Sequence, residues 1–187
     1  MKIKATPKRD RLIVEVAEKD EKLLAHPAFE LQADPRFRLK KILVPVDFSP
    51  CSLKALQYAM AFARHFGAGL LLLHVVQVNY IIGEFGPVDF PVFEKDLEQS
   101  ARRQLEALAR ELALKQTPVE TMLCSGLPWN EIVNAATKTA ADLIIIATHG
   151  HTGLKHVLMG STTTNVVRHA PCPVLTVREH EHEFVNP

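Results

Sequence analysis

One stretch of this chain combines residue types and spacing that suit a phosphate group. From Ala147 it reads Ala-Thr-His-Gly150, and nine residues separate Gly150 from Gly160, which Ser161, Thr162, Thr163 and Thr164 follow. Gly150 can take φ > 0 and lets a ligand approach the backbone. Gly160 opens a predicted helix, where unpaired N–H groups and the positive end of the dipole favour an anion. The Ser161 and Thr162 hydroxyls add donors, and Lys155 supplies a positive charge in the intervening loop. The plainer reading of Gly-Ser-Thr is helix capping, since Ser is a favoured N-cap. A second chemical position is Asp47, after Pro45 and Val46. A carboxylate at a strand end suits a ribose hydroxyl or Mg²⁺. Its plainer reading is turn and capping chemistry ahead of a helix.

The elements that would position these residues alternate. Ile42–Val46 is a short apolar run leading into Asp47-Phe48-Ser49-Pro50, which reads as a buried strand and then a helix with Ser49 as N-cap and Pro50 at its first position. Leu53, Leu56, Ala59, Met60 and Ala63 recur at helical spacing, and Gly67 ends that helix. Leu70–Val76 is a second strand. Gln77–Phe93, with four aromatic residues, two glycines and two prolines, reads as a long loop of the kind used as a lid or contact surface. A helix is predicted over Glu94–Lys115, a strand over Pro118–Cys124, a helix over Pro128–Ala140, a strand over Leu143–Ala147, a helix over 161–169 and a strand over Pro173–Val177. Unbroken apolar strands joined by helices imply an α/β fold with a parallel sheet covered on both faces. Right-handed crossovers make it doubly wound, with five strands in the order 3-2-1-4-5. In that order the ends of the first and fourth strands are neighbours at the switch point, where such sheets bind ligands. Asp47 and the Ala147–Thr162 stretch then share one site.

Residues 1–38 are dense in alternating charge and form an extension, with one short strand at Leu12–Val16 and a helical turn or two over Glu18–Ala25. The domain runs over 39–178, and 179–187 is a solvated tail. The N-terminus lacks the apolar core of a signal peptide, and no apolar run reaches the roughly 18 residues of a membrane span, so no membrane role is expected. Three widely spaced cysteines, Cys51, Cys124 and Cys172, argue against a disulfide framework and fit a cytoplasmic location. A net charge of +1 gives no sign of a nucleic-acid partner.

Several constellations are set aside. Gly150-His-Thr-Gly-Leu-Lys155 does not fit a Walker loop. No Gly-x-Gly-x-x-Gly or Gly-x-Ser-x-Gly sequence occurs. His149, His151 and His156 crowd one loop, but zinc sites usually need a further ligand at suitable spacing. Cys51 sits near a helix start, which can lower a thiol pKa; a small buried residue is the simpler reading.

Residues 40–178 resemble a universal stress protein domain. The matching pieces are Lys41-Ile-Leu-Val-Pro-Val-Asp-Phe-Ser49, Leu73-His-Val75, Ala141-Asp-Leu-Ile-Ile-Ile-Ala-Thr-His-Gly-His-Thr-Gly-Leu154, Gly160-Ser161 and Arg168-His-Ala-Pro-Cys-Pro-Val-Leu175. The resemblance implies a Rossmann-like fold, related to the adenine-nucleotide alpha-hydrolases. The ATP-binding branch has Gly-x2-Gly-x9-Gly-Ser/Thr; here Ala147 stands at the first glycine, ahead of Gly150, Gly160 and Ser161. The resemblance implies that Pro45, Val46 and Val75 border an adenine, that Asp47 contacts the ribose or a nucleotide-bound Mg²⁺, and that Gly150, Gly160, Ser161 and Thr162 hold phosphates. It implies an ATP-binding (or ADP- or AMP-binding) regulatory protein of the stress response, at most a slow ATPase, and a homodimer through the 174–177 edge strand. The alternative is a nucleotide-free interaction module, and Ala147 is where the two part.

Overall fold

The computed structural model describes residues 4–8, 11–15, 38–77, 82–83, 86–87, 91–114, 117–150 and 159–179. The Glu18–Ala25 turn, most of the aromatic loop, and Lys155, His151 and His156 lie outside them. Two compact units divide the chain, Met1–Arg36 and Phe37–Pro187.

In the first unit, the single strand expected at Leu12–Val16 is half of a hairpin. Lys4–Lys8 pairs antiparallel with Arg11–Glu15, in the register Lys4↔Glu15 to Lys8↔Arg11. Pro7 masks the first strand in the sequence. In a two-stranded sheet every strand is an edge, where proline is tolerated.

The second unit contains a five-stranded parallel sheet. Its strands are β1 (Lys41–Pro45), β2 (Gly69–Val76), β3 (Val119–Ser125), β4 (Leu143–Ala147) and β5 (Val174–Val177). The order across the sheet is β3-β2-β1-β4-β5, as the crossover argument requires. The helices are α1 (Pro50–Phe66), α2 (Pro91–Ala113), α3 (Pro128–Thr139) and α4 (Ser161–His169). Helix α2 starts three residues earlier than the Glu94 expected from periodicity, on Pro91, a residue well suited to a first helical turn. Within the expected loop, Ile82–Gly83 pairs with Gly86–Pro87.

Alternation along the strands builds two cores. Ile42, Val44 and Val46 of the first crossing, with Leu70, Leu72, Ile145 and Ala147, pack under α1 and α2. Leu43, Leu71, Leu73, Ile144 and Ile146 face the other way, against Ile132, Ala135 and Ala136 of α3 and Val166 of α4. Helices therefore change face between α2 and α3, and the switch point falls between β1 and β4.

Candidate functional site

At the carboxyl end of β1 the chain must leave a buried strand and enter a helix on one face. It does so through a tight sequence of local hydrogen bonds. Asp47 Oδ1 accepts from the Ser49 backbone N–H (3.0 Å) and from the Ser49 hydroxyl (2.6 Å). Ser49 Oγ in turn accepts from Ser52 N (3.2 Å), the N-cap bond of α1. Phe48, between them, has φ 64°, in the left-handed region that a bulky residue seldom enters. Its ring lies 4.8 Å, centroid to centroid, from that of His74 on β2. His74 Nδ1 lies 2.7 Å from the Val46 carbonyl oxygen. A carbonyl only accepts, so the proton is assigned to Nδ1 and donates to Val46.

The carboxyl end of β4 is built differently. Thr148 N donates to Val177 O (2.8 Å), which ties the strand end to β5. Gly160 N donates to Thr148 O (2.8 Å), and the buried Thr163 hydroxyl donates to Ala147 O (2.8 Å). These bonds bring the start of α4 back onto the strand it left. Gly160, not Ser161, is the N-cap of α4, and among the described residues no side chain caps this end. The capping reading of Ser161 therefore does not hold: Ser161 is the first helical residue, and its hydroxyl has no cap to make.

The two strand ends meet. A β-carbon placed on Gly150 would run into Asp47 Oδ2. Gly150 does not have a positive φ, so what opposes a side chain here is the carboxylate, which would have to shift, rather than backbone conformation. At Gly160 a β-carbon would lie 3.2 Å from Thr148 O, a tight but lesser contact.

All nine residues singled out from the sequence (Pro45, Val46, Asp47, Val75, Ala147, Gly150, Gly160, Ser161 and Thr162) line one cavity of about 830 Å³. The Ala147 methyl is buried within the core layer beneath α1, with 6% of the residue exposed. Sequence reasoning missed the opposite wall. Leu97, Ser100, Ala101 and Gln104 of α2 line the cavity with Pro128 and Ile132 of α3. Their i, i+3, i+4, i+7 spacing was visible, but the stripe reads as core, and Ala101 and Leu105 on it are indeed buried. Phe48 and His74 also line the cavity and were not singled out, because their pairing joins two strands.

Burial raises the Cys51 thiol pKa, with Glu179 and Asp47 adding to the effect against an opposing hydrogen bond from the His149 backbone. Position at a helix start does not activate this cysteine. Among the described residues no group of three or more His, Cys, Asp or Glu side chains is arranged to hold a metal ion. No helix among them is long and apolar enough to cross a membrane.

Residues 38–178 match the family described as "Universal stress protein family". A universal stress protein of Methanocaldococcus jannaschii is 35% identical over 147 residues, covering 77% of this chain and 85% of that protein. The structure of UspA from Lactobacillus plantarum is 31% identical, covers 76% of this chain and 100% of that chain, and superposes with a TM-score of 0.66. Two more distant structures share the fold: a universal stress protein in complex with cAMP (23% identity, TM-score 0.53) and one from Archaeoglobus fulgidus in complex with dAMP (22%, 0.52). With the match spanning residues 38–178, the doubly wound sheet and its strand order, the chain belongs to the universal stress protein family.

Proposed function

We propose that this chain binds ATP, or its hydrolysis products ADP and AMP, and acts as a nucleotide-dependent regulatory protein of the stress response. The observation that supports this most is the meeting of Asp47 and Gly150 across the switch point, beside an uncapped helix start. A helix whose first-turn amides lack a side-chain cap favours a bound anion. In this reading Ser161, Thr162, Gly150 and Gly160 take the phosphates. Asp47 takes a ribose hydroxyl or a nucleotide-bound Mg²⁺, for which one carboxylate with phosphate oxygens is an ordinary donor set. Pro45, Val46 and Val75 border the adenine. That two proteins of the same fold have been solved with cAMP and with dAMP supports an adenine nucleotide as the ligand.

Ala147 is compatible with this reading because its methyl is in the core. Hydrolysis is expected to be slow: one oxygen of Asp47 is already engaged by two donors of Ser49, which leaves it poorly suited to act as a general base. Among the described residues strand β5 is hydrogen-bonded on one side only, to β4, and an apolar edge invites pairing with a second copy, so a homodimer through 174–177 is part of the proposal. Free thiols at Cys51, Cys124 and Cys172 fit a reducing compartment such as the cytoplasm.

Calorimetry tests the reading. ATP is expected to bind with micromolar affinity, and Gly160→Val combined with Ser161→Ala to abolish binding. No heat for ATP, ADP or AMP with the unaltered protein would reject it in favour of a nucleotide-free interaction module.

A further inference from the structure

The turn between β1 and α1 contains a strained residue, Phe48, which packs against the core beneath α1 and leads directly into the N-cap Ser49. Phe48 is one of two non-glycine residues with positive φ among those described; the other, Ala140, ends a helix, where such a conformation is common. Strain of this kind persists only where its surroundings enforce it, and it gathers at functional sites. Beside its packing on the core, Phe48 is held by the His74 ring, which the Val46 carbonyl fixes in orientation. Phe48 directly follows Asp47 and directly precedes Ser49, the residue whose N–H and hydroxyl both hold Asp47 Oδ1. Rotating Phe48 out of the left-handed region would swing Ser49 away from Asp47 and release the carboxylate from its place against Gly150.

We propose that Phe48 is a positioning residue: its ring, seated on His74, holds a left-handed turn that sets the Asp47 carboxylate for ligand. The proposal rests on the nucleotide reading for the identity of that ligand, but the positioning itself can be read without one. Both rings line the cavity, so direct stacking on the ligand is the competing role.

The two roles separate by substitution. Glycine enters the left-handed region without cost, whereas alanine does not. Phe48→Ala loses the seat and keeps the strain; it is expected to weaken ATP binding about tenfold, the usual penalty of one left-handed residue. Phe48→Gly loses the ring and the strain together, and is expected to bind within a factor of about three of the unaltered protein. His74→Ala should weaken binding in the natural background and have little further effect in the Phe48→Gly background. Amide exchange at Ser49, measured by NMR without nucleotide, should be slow in the unaltered and Phe48→Gly proteins and fast in Phe48→Ala. If Phe48→Gly binds as poorly as Phe48→Ala, or if Ser49 exchange is equally slow in all three, the proposal is overturned. If the unaltered protein binds no nucleotide while Ser49 follows the expected pattern, the positioning role stands and the nucleotide reading fails.

Discussion

Helices α1 and α4 both start at the cavity, on opposite faces of the sheet. The start of α1 is satisfied from within: Ser49 caps it, Pro50 occupies its first turn without needing a partner for an N–H, and Asp47 braces the cap. The start of α4 rests on a glycine with no side-chain cap, although hydroxyl residues follow it at once. Both starts look alike in sequence, a small residue followed by residues that favour a first turn. The difference shows how one fold divides its work at a switch point. One helix start anchors the chain and aims a carboxylate. The other has no side-chain cap among the described residues, and in the nucleotide reading its first-turn amides take the phosphates.

That contrast can be broken at either end. Among single substitutions the largest effect on binding is expected from Gly150→Val, which drives a side chain into the Asp47 carboxylate. Nucleotide affinity should fall about 100-fold, the loss expected when a charged hydrogen-bonding partner is displaced. Calorimetry measures it, and circular dichroism should show the sheet intact because Gly150 has an ordinary φ. Next is Gly160→Asp, which gives α4 the cap it lacks. The new carboxylate should satisfy the first-turn amides and repel phosphate, lowering affinity by more than about tenfold. Stability should change by only a few tenths of a kcal/mol in urea titration, as expected when a glycine N-cap is exchanged for a better one. A variant that still binds ATP as before would remove the open helix start from the nucleotide reading.

Ser49→Ala should reverse that balance. Losing the α1 cap is expected to cost about 1 kcal/mol of stability, while affinity falls only a few-fold through loosened bracing of Asp47. Equal losses in stability and binding at Ser49 and at Gly160 would erase the distinction between the two starts. The smallest effect on binding is expected from Ala147→Gly. The methyl is buried in the core layer, so its removal should destabilise the strand by about 0.5–1 kcal/mol and leave ATP affinity unchanged. A large gain in affinity would show that the methyl obstructs the ligand.

The sequence alone determined the fold of the second unit. Apolar runs such as Leu70–Val76 can be satisfied only by burial on both faces, and the β-α alternation with right-handed crossovers admits few strand orders. It also determined which residues would gather, since the ends of β1 and β4 must be adjacent once that order is set. The hairpin partner Lys4–Lys8 was hidden by Pro7, because a local propensity gives no warning that both strands are edges. Only the tertiary structure decided how the site is built. That a side chain at Gly150 is opposed by a carboxylate and not by φ, that Gly160 and not Ser161 caps α4, and that Phe48 is strained against His74 all depend on contacts between residues far apart in sequence. Periodicity reports which face a residue occupies. It does not report what stands opposite, which is why the α2 wall of the cavity read as core and the Phe48–His74 pair did not read at all.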